Sequence, residues 1–295
     1  MACALLAAQA APAAPAPVVV SSKLSSESAM ISEMLRLVLN ANGIKTVDRT
    51  RLGTTPVVRA ALLAGAIDLY VEYTGDAAYF FHIPDDPAWK DLRKGYALGA
   101  RLDLAANHIV WLTPAPANNT WALAVRRDIA AAHGLRTMSD FGRWVAGGGA
   151  VVLACSAEFA NAGTLASLER TYGFKLRSAQ MIVLAGGETA ATIAAAAAGT
   201  DGTNTAMVYG TDGGITAANL VILDDDRHDQ PVYAPVPIIR ASVLAADPRI
   251  GALVRPVMES LDGSTLRRLN ERVQIDGESA AFVAADYLRR HGLLR

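Results

Sequence analysis

Four aromatic residues fall where strands are expected to end rather than on the apolar stripe of a helix: Tyr73, Trp121, Tyr209 and Tyr233. Tyr73 follows a predicted strand at 67–71, and Trp121 lies beside Asn118-Asn119-Thr120. Tyr209 closes a predicted strand beginning at 204 and runs into Gly210-Thr211-Asp212-Gly213, while Tyr233 opens Tyr233-Ala234-Pro235-Val236-Pro237. In open α/β sheets, strand ends and the turns after them are where ligands bind. Each ring taken singly reads more simply as half-buried packing. Four of them at such positions, near two Pro-flanked segments, make a candidate ligand site.

Nothing comparable assembles a catalyst. No Gly-x-Gly-x-x-Gly follows a strand, and there is neither a phosphate loop with Lys-Ser/Thr nor a Gly-x-Ser-x-Gly elbow. His82, His108, His133, His228 and His291 are scattered singly, without metal-ligand spacing. Gly186-Gly187-Glu188-Thr189 stands at a predicted helix start and could turn backbone N–H groups toward an anion, but a tight turn with a cap is the simpler reading. Cys155, inside Val151-Val152-Leu153-Ala154-Cys155, reads as a buried strand residue rather than a reactive thiol. The expectation is a protein that is not an enzyme, with no catalytic residue, metal or cofactor.

The elements that must position the aromatics alternate in α/β fashion. Composition allows this: 295 residues, 52% hydrophobic and 19% charged, suit a globular chain of about two domains. With 27 Lys+Arg against 28 Asp+Glu, the chain lacks the basic face that nucleic acid demands. The spacing predicts a strand at 17–22, a helix from Ser25 or Ser26 to about 42, and a helix opened by Thr54 or Thr55 before Pro56. A long helix from Asp86-Pro87 to about 107 and a strand at 108–112 follow. Further strands are expected at 120–126, 150–155, 181–185, 204–209 and 220–223, with helices at 139–146, 157–171, 188–198 and 213–218. Ile238-Ile239-Arg240 precedes three helical stretches, and Asp224-Asp225-Asp226 reads as a solvated loop.

Thr113-Pro114-Ala115-Pro116 and Tyr233-Ala234-Pro235-Val236-Pro237 bracket the middle block like two crossings. They divide the chain into one lobe of 18–115 plus 234–295 and an inserted lobe of 116–233. Residues 1–17 read as a signal-peptide remnant or disordered arm: an apolar stretch to Ala8, then the small-x-small pattern Ala8-Gln9-Ala10, with Pro12, Pro15 and Pro17 breaking any helix. Lipid attachment at Cys3 fits less well, so a free periplasmic protein is expected.

Several longer motifs then carry a resemblance: Ser21-Ser22-Lys23, Leu52-Gly53-Thr54-Thr55-Pro56-Val57-Val58, and Asp68-Leu69-Tyr70-Val71-Glu72-Tyr73-Thr74-Gly75. With them stand the run from Pro114 through Asn119 and Trp121 to Val125, Tyr209-Gly210-Thr211-Asp212-Gly213, and the Tyr233 crossing. Together, and in this order, the chain resembles substrate-binding proteins of ABC importers for glycine betaine, choline and related osmoprotectants, in particular the YehZ-type osmoprotectant-binding subgroup. The resemblance implies a type II periplasmic-binding-protein fold, two lobes joined by two hinge strands, closing on a ligand like a clamp. It implies an aromatic cage for a trimethylammonium group from Tyr73, Trp121, Tyr209 and Tyr233, with Lys23, Asn119 and Asp76 as further ligand-binding candidates. Relatives often carry Tyr at the position of Trp121, and Trp is the better cation–π partner.

Lys23 matches a position that pairs with a betaine carboxylate, whereas an Arg that relatives carry after Glu158-Phe159 is replaced by Asn161-Ala162, and Asp76 stands where a neutral residue is common. Weak carboxylate affinity, or a preference for a choline-like or larger ligand, is therefore expected. The implied partners are a quaternary-ammonium small molecule and an ABC permease of the inner membrane, the binding protein acting as a monomer. A sensory or adaptor module with the same cage, or capture of another trimethylated compound such as carnitine or ergothioneine, is the alternative.

Overall fold

The structure is a computed structural model that describes residues 16–161, 163–184 and 189–294. The expected leader lies outside the described residues up to position 15, as do Gly186, Gly187 and Glu188 of the anion-site candidate. Ten strands form two five-stranded sheets among the described residues. They are β1 (Val18–Lys23), β2 (Thr46–Gly53), β3 (Leu69–Tyr73), β4 (Ile109–Trp111), β5 (Trp121–Arg126), β6 (Leu153–Ser156), β7 (Met181–Leu184), β8 (Thr205–Tyr209), β9 (Leu220–Ile222) and β10 (Pro235–Arg240).

The first sheet runs β2-β1-β3-β10-β4 and the second β7-β6-β8-β5-β9. In the first, β2, β1 and β3 are parallel and β10 is antiparallel to both of its neighbours. The second repeats this pattern, with β7, β6 and β8 parallel and β5 antiparallel to β8 and β9. The two sheets therefore share one topology, and β3 beside β10 corresponds to β8 beside β5.

Each sheet is buried on both faces, which explains why its central strands read as unbroken apolar runs. On one face of the first sheet, Met30, Ile31, Met34 and Leu35 of helix Ser26–Ala41 pack with Val254 and Leu266 of the carboxy-terminal helices. Val58, Leu62 and Trp89 cover the other face. On the second sheet, Phe141, Phe159 and Leu168 fill one side and Ile193 with Ile215 the other. Cys155 is buried in the first of these cores, where burial raises its thiol pKa.

Two stretches of chain pass between the sheets and hold each other. Ala115 N–H donates to Pro235 O at 2.8 Å and Asn119 N–H to Tyr233 O at 2.9 Å. Tyr233 N–H donates to Asn118 Oδ1 at 2.8 Å, and the Thr74 hydroxyl to Val232 O at 2.7 Å.

Some elements differ from expectation. The helix expected from Asp86 is a short 3-10 turn, Pro87–Lys90, then a helix Leu92–Asn107, because Asp91 accepts from the Lys94 N–H and starts a new helix. The helix expected at 157–171 is divided into Ala157–Asn161 and Thr164–Tyr172, with Gly163 at φ 86° before the second piece. Strand β2 and helix Arg127–His133 were not expected, and four helices rather than three follow β10. The Asp224–Asp226 segment is a loop, yet Asp225 accepts from the Gln230 N–H and Asp226 from the Ser139 N–H, so it also ties its surroundings together.

Candidate functional site

Strand direction decides where the aromatics go. Tyr73 is the last residue of β3, and Tyr233 lies two residues before β10, its antiparallel neighbour. Tyr209 is the last residue of β8, and Trp121 the first of β5, its antiparallel neighbour. Each sheet thus contributes one ring from the end of its central strand and one from the start of the strand beside it. Trp121 and Tyr209 are cross-strand partners and stack with centroids 6.2 Å apart at 27°. Phe159 meets Trp121 edge-on at 5.8 Å and fixes its other side.

All four rings line a single cavity of about 440 Å³, together with Asp76, Tyr79, Asn119, Thr120, Glu158, Thr164, Gln230 and Pro231. Six of the seven residues singled out from the sequence therefore meet there; Lys23 does not line the cavity. A larger cavity of about 580 Å³ also borders Trp121, but that is its one Trp, Tyr or Phe, so it cannot surround a cation with rings.

Behind the cavity lies a layer of charge. Lys23 Nζ bonds Asp76 Oδ2 at 2.6 Å and also contacts Glu72, while standing 5.0 Å from the centroid of Tyr73. The lysine is thus paired twice and already covers part of one cage ring. Glu72 is fully buried and shares this ammonium with Asp76; burial, reinforced by the neighbouring carboxylate, pushes its pKa up to about 8 against the pull of Lys23. The Tyr73 hydroxyl donates to Glu27 Oε1 at 2.7 Å, and Asn270 Nδ2 donates to Glu27 Oε2 at 2.6 Å. Burial raises the Glu27 pKa despite these bonds, and burial with Glu27 alongside raises that of Tyr73. For Tyr233 the upward push comes from burial, then from Tyr79 and Asp76.

Close packing sets the Tyr233 ring. A Cβ on Gly75 would sit 2.7 Å from its Cε1 and Cζ atoms, so only glycine lets the Thr74–Asp76 turn lie against it. Glu158, Thr164, Tyr79, Thr120, Gln230 and Pro231 were not expected. Glu158 and Thr164 come from the two short helices after β6, whose break at Gly163 hid their orientation from a helical periodicity.

Residues 16–290 match the family described as the substrate binding domain of ABC-type glycine betaine transport systems, OpuAC. This chain belongs to the OpuAC family. It is 47% identical to the glycine betaine-binding protein YehZ of Escherichia coli over 280 residues, covering 95% of this chain and 92% of that one. It is 30% identical to a glycine-betaine-binding protein of Pseudomonas aeruginosa, covering 93% and 88%. The solved structure of apo YehZ superposes with a TM-score of 0.90 at 46% identity, over 95% of this chain and all of that one. The fold is the two-lobed periplasmic-binding-protein fold, and the chain is the extracytoplasmic substrate-binding component of an ABC importer of the glycine betaine and osmoprotectant type, not an enzyme.

Proposed function

We propose that this OpuAC-family protein captures a quaternary-ammonium solute, of the choline and betaine class, inside the four-ring cavity and delivers it to an inner-membrane permease. One observation carries the reading: stacked Trp121 and Tyr209 from one sheet share a cavity with Tyr73 and Tyr233 from the other. A quaternary ammonium has no N–H, so acceptors cannot read it directionally. Its methyl shell spreads the charge and lowers the cost of leaving water. Ring faces supply quadrupole attraction and apolar contact together, about 0.5–2 kcal/mol per contact, more when dry. Several such faces support micromolar binding, about 8 kcal/mol.

In this reading 18–115 with 234–295 and 116–233 act as the jaws of a periplasmic, monomeric clamp, and the crossings are its hinge. Asn119, whose Nδ2 reaches Glu27 Oε1 at 3.3 Å, ties one crossing to the hydroxyl support of Tyr73. Lys23 serves as the buried counter-ion of Glu72 and Asp76 rather than as a ligand contact. Glycine betaine, which names the Escherichia coli and Pseudomonas aeruginosa relatives, is one member of the class to be tested.

The test is titration calorimetry with choline, glycine betaine, carnitine, proline betaine and ergothioneine, with 3,3-dimethylbutan-1-ol as the neutral isostere of choline. The expected result is binding of at least one trimethylammonium compound, loss of roughly 10-fold or more for the isostere, and a similar loss in Trp121→Ala. Equal affinity for choline and its neutral isostere would remove the cage from the explanation.

A further inference from the structure

Within the proposed cage, we infer that the site selects net-positive quaternary-ammonium alcohols over zwitterionic betaines, and that Asp76 and Glu158 are the residues that discriminate. This rests on the cage reading and adds the charge class of its occupant. Asp76 and Glu158 reach the cavity from opposite sheets, and among its described lining residues there is no Lys, Arg or His. The ammonium of Lys23 lies behind Tyr73 and Asp76, does not line the cavity and is held by Glu72 and Asp76. Glu27 adds a further carboxyl group in contact with Tyr73 and Asn119.

Four carboxyl groups thus surround or back this cavity against one ammonium. Even with the two fully buried ones protonated, Lys23 balances Asp76 and Glu158 is left over. A ligand carrying only a cationic head gains from that field at its one charge. A betaine must place its carboxylate in the same field with no cationic partner.

The experiment measures choline and glycine betaine affinities side by side by calorimetry for the unaltered protein, Asp76→Asn, Glu158→Gln and the double variant. Choline is expected to bind at least 10-fold more tightly than glycine betaine. Each single variant is expected to narrow the ratio at least threefold, and the double variant further. Glu158 is exposed, so Glu158→Gln is expected to keep the fold whatever Asp76→Asn does, and the Glu158→Gln arm stands alone if needed. On the unaltered protein, rising salt should weaken choline more than glycine betaine. Glycine betaine binding as tightly as choline, or a ratio unmoved by Glu158→Gln, overturns the inference and leaves the cage standing. Binding of neither compound nor of any other quaternary ammonium overturns both.

Discussion

At the scale of single residues, a buried layer of paired charges lies directly behind the rings. Lys23 lies between Glu72 and Asp76 and under Tyr73, so its charge is neutralised inside the protein. Glu72 accepts from the Tyr70 hydroxyl at 2.7 Å and from the Tyr73 N–H at 2.8 Å, which anchors the end of β3. Its pKa of about 8 lies above the ordinary 4.5, so between these values the folded chain holds a proton that the unfolded chain releases. The sign follows from linkage: stability falls as pH rises from 4.5 to about 8 and levels off above. Glu72→Gln is expected to flatten that slope in thermal unfolding followed across the same pH range, and an unchanged slope would show that another group carries it. The rings of the candidate site stood out in the sequence because they lie at or near strand termini, two of them beside the Pro-rich crossings. Lys23, which the resemblance placed among the ligand contacts, lies behind the cavity between Glu72 and Asp76, a pairing that no sequence spacing displays. Glu158 stood in the sequence beside Phe159, but nothing local showed which of the pair turns inward. Phe159 is the one buried in the core, and Glu158 is left to the cavity.

At the scale of elements, the cavity exists because two sheets of one topology present equivalent strand ends to it. In the parallel part of each sheet the alternation of apolar strands and amphipathic helices was readable, since both signals repeat along the chain. Strand β2 was not: Thr46–Gly53 is an edge strand, largely exposed, and its mixed sequence TVDRTRLG shows no apolar face. The caps Asp91 and Gly163 interrupt periodicities that otherwise run on, which is why two helices were read too long. The turn after β3 is an element with a specific demand. Because Gly75 lies against the Tyr233 ring, Gly75→Ala must push that ring by several tenths of an ångström or more. The expected outcome is a loss of quaternary-ammonium affinity of roughly 10-fold, the scale of one ring contact, with the far-ultraviolet circular dichroism spectrum retained. Affinity unchanged in Gly75→Ala would mean that Tyr233 is not a wall of the bound site.

At the scale of the whole molecule, the sheets are joined at more than the two crossings. Helix Gly263–Gln274, which belongs to the core of the first sheet, also grips the turn after β8 in the second. Asn270 Nδ2 donates to Thr211 O at 2.8 Å as well as to Glu27, and Arg267 donates to Gly210 O at 2.8 Å. A Cβ on Gly213 would come within 2.2 Å of the Glu271 nitrogen, so backbone rests on backbone at this contact. In the proposed clamp these contacts join the jaws beside the crossings, and a ligand held by rings from both sheets would add a further link. Binding to the folded state alone adds about 2.7 kcal/mol at a ligand concentration 100 times Kd. At roughly 2–4 °C per kcal/mol, that corresponds to a rise in Tm of about 5–10 °C. Trp121→Ala in the second sheet and Tyr233→Ala beside the first should each abolish most of that rise at the same ligand concentration. A ligand seated in one jaw alone would lose its effect in only one of the two variants. Differential scanning fluorimetry of the pair therefore separates a bridged clamp from a one-sided pocket.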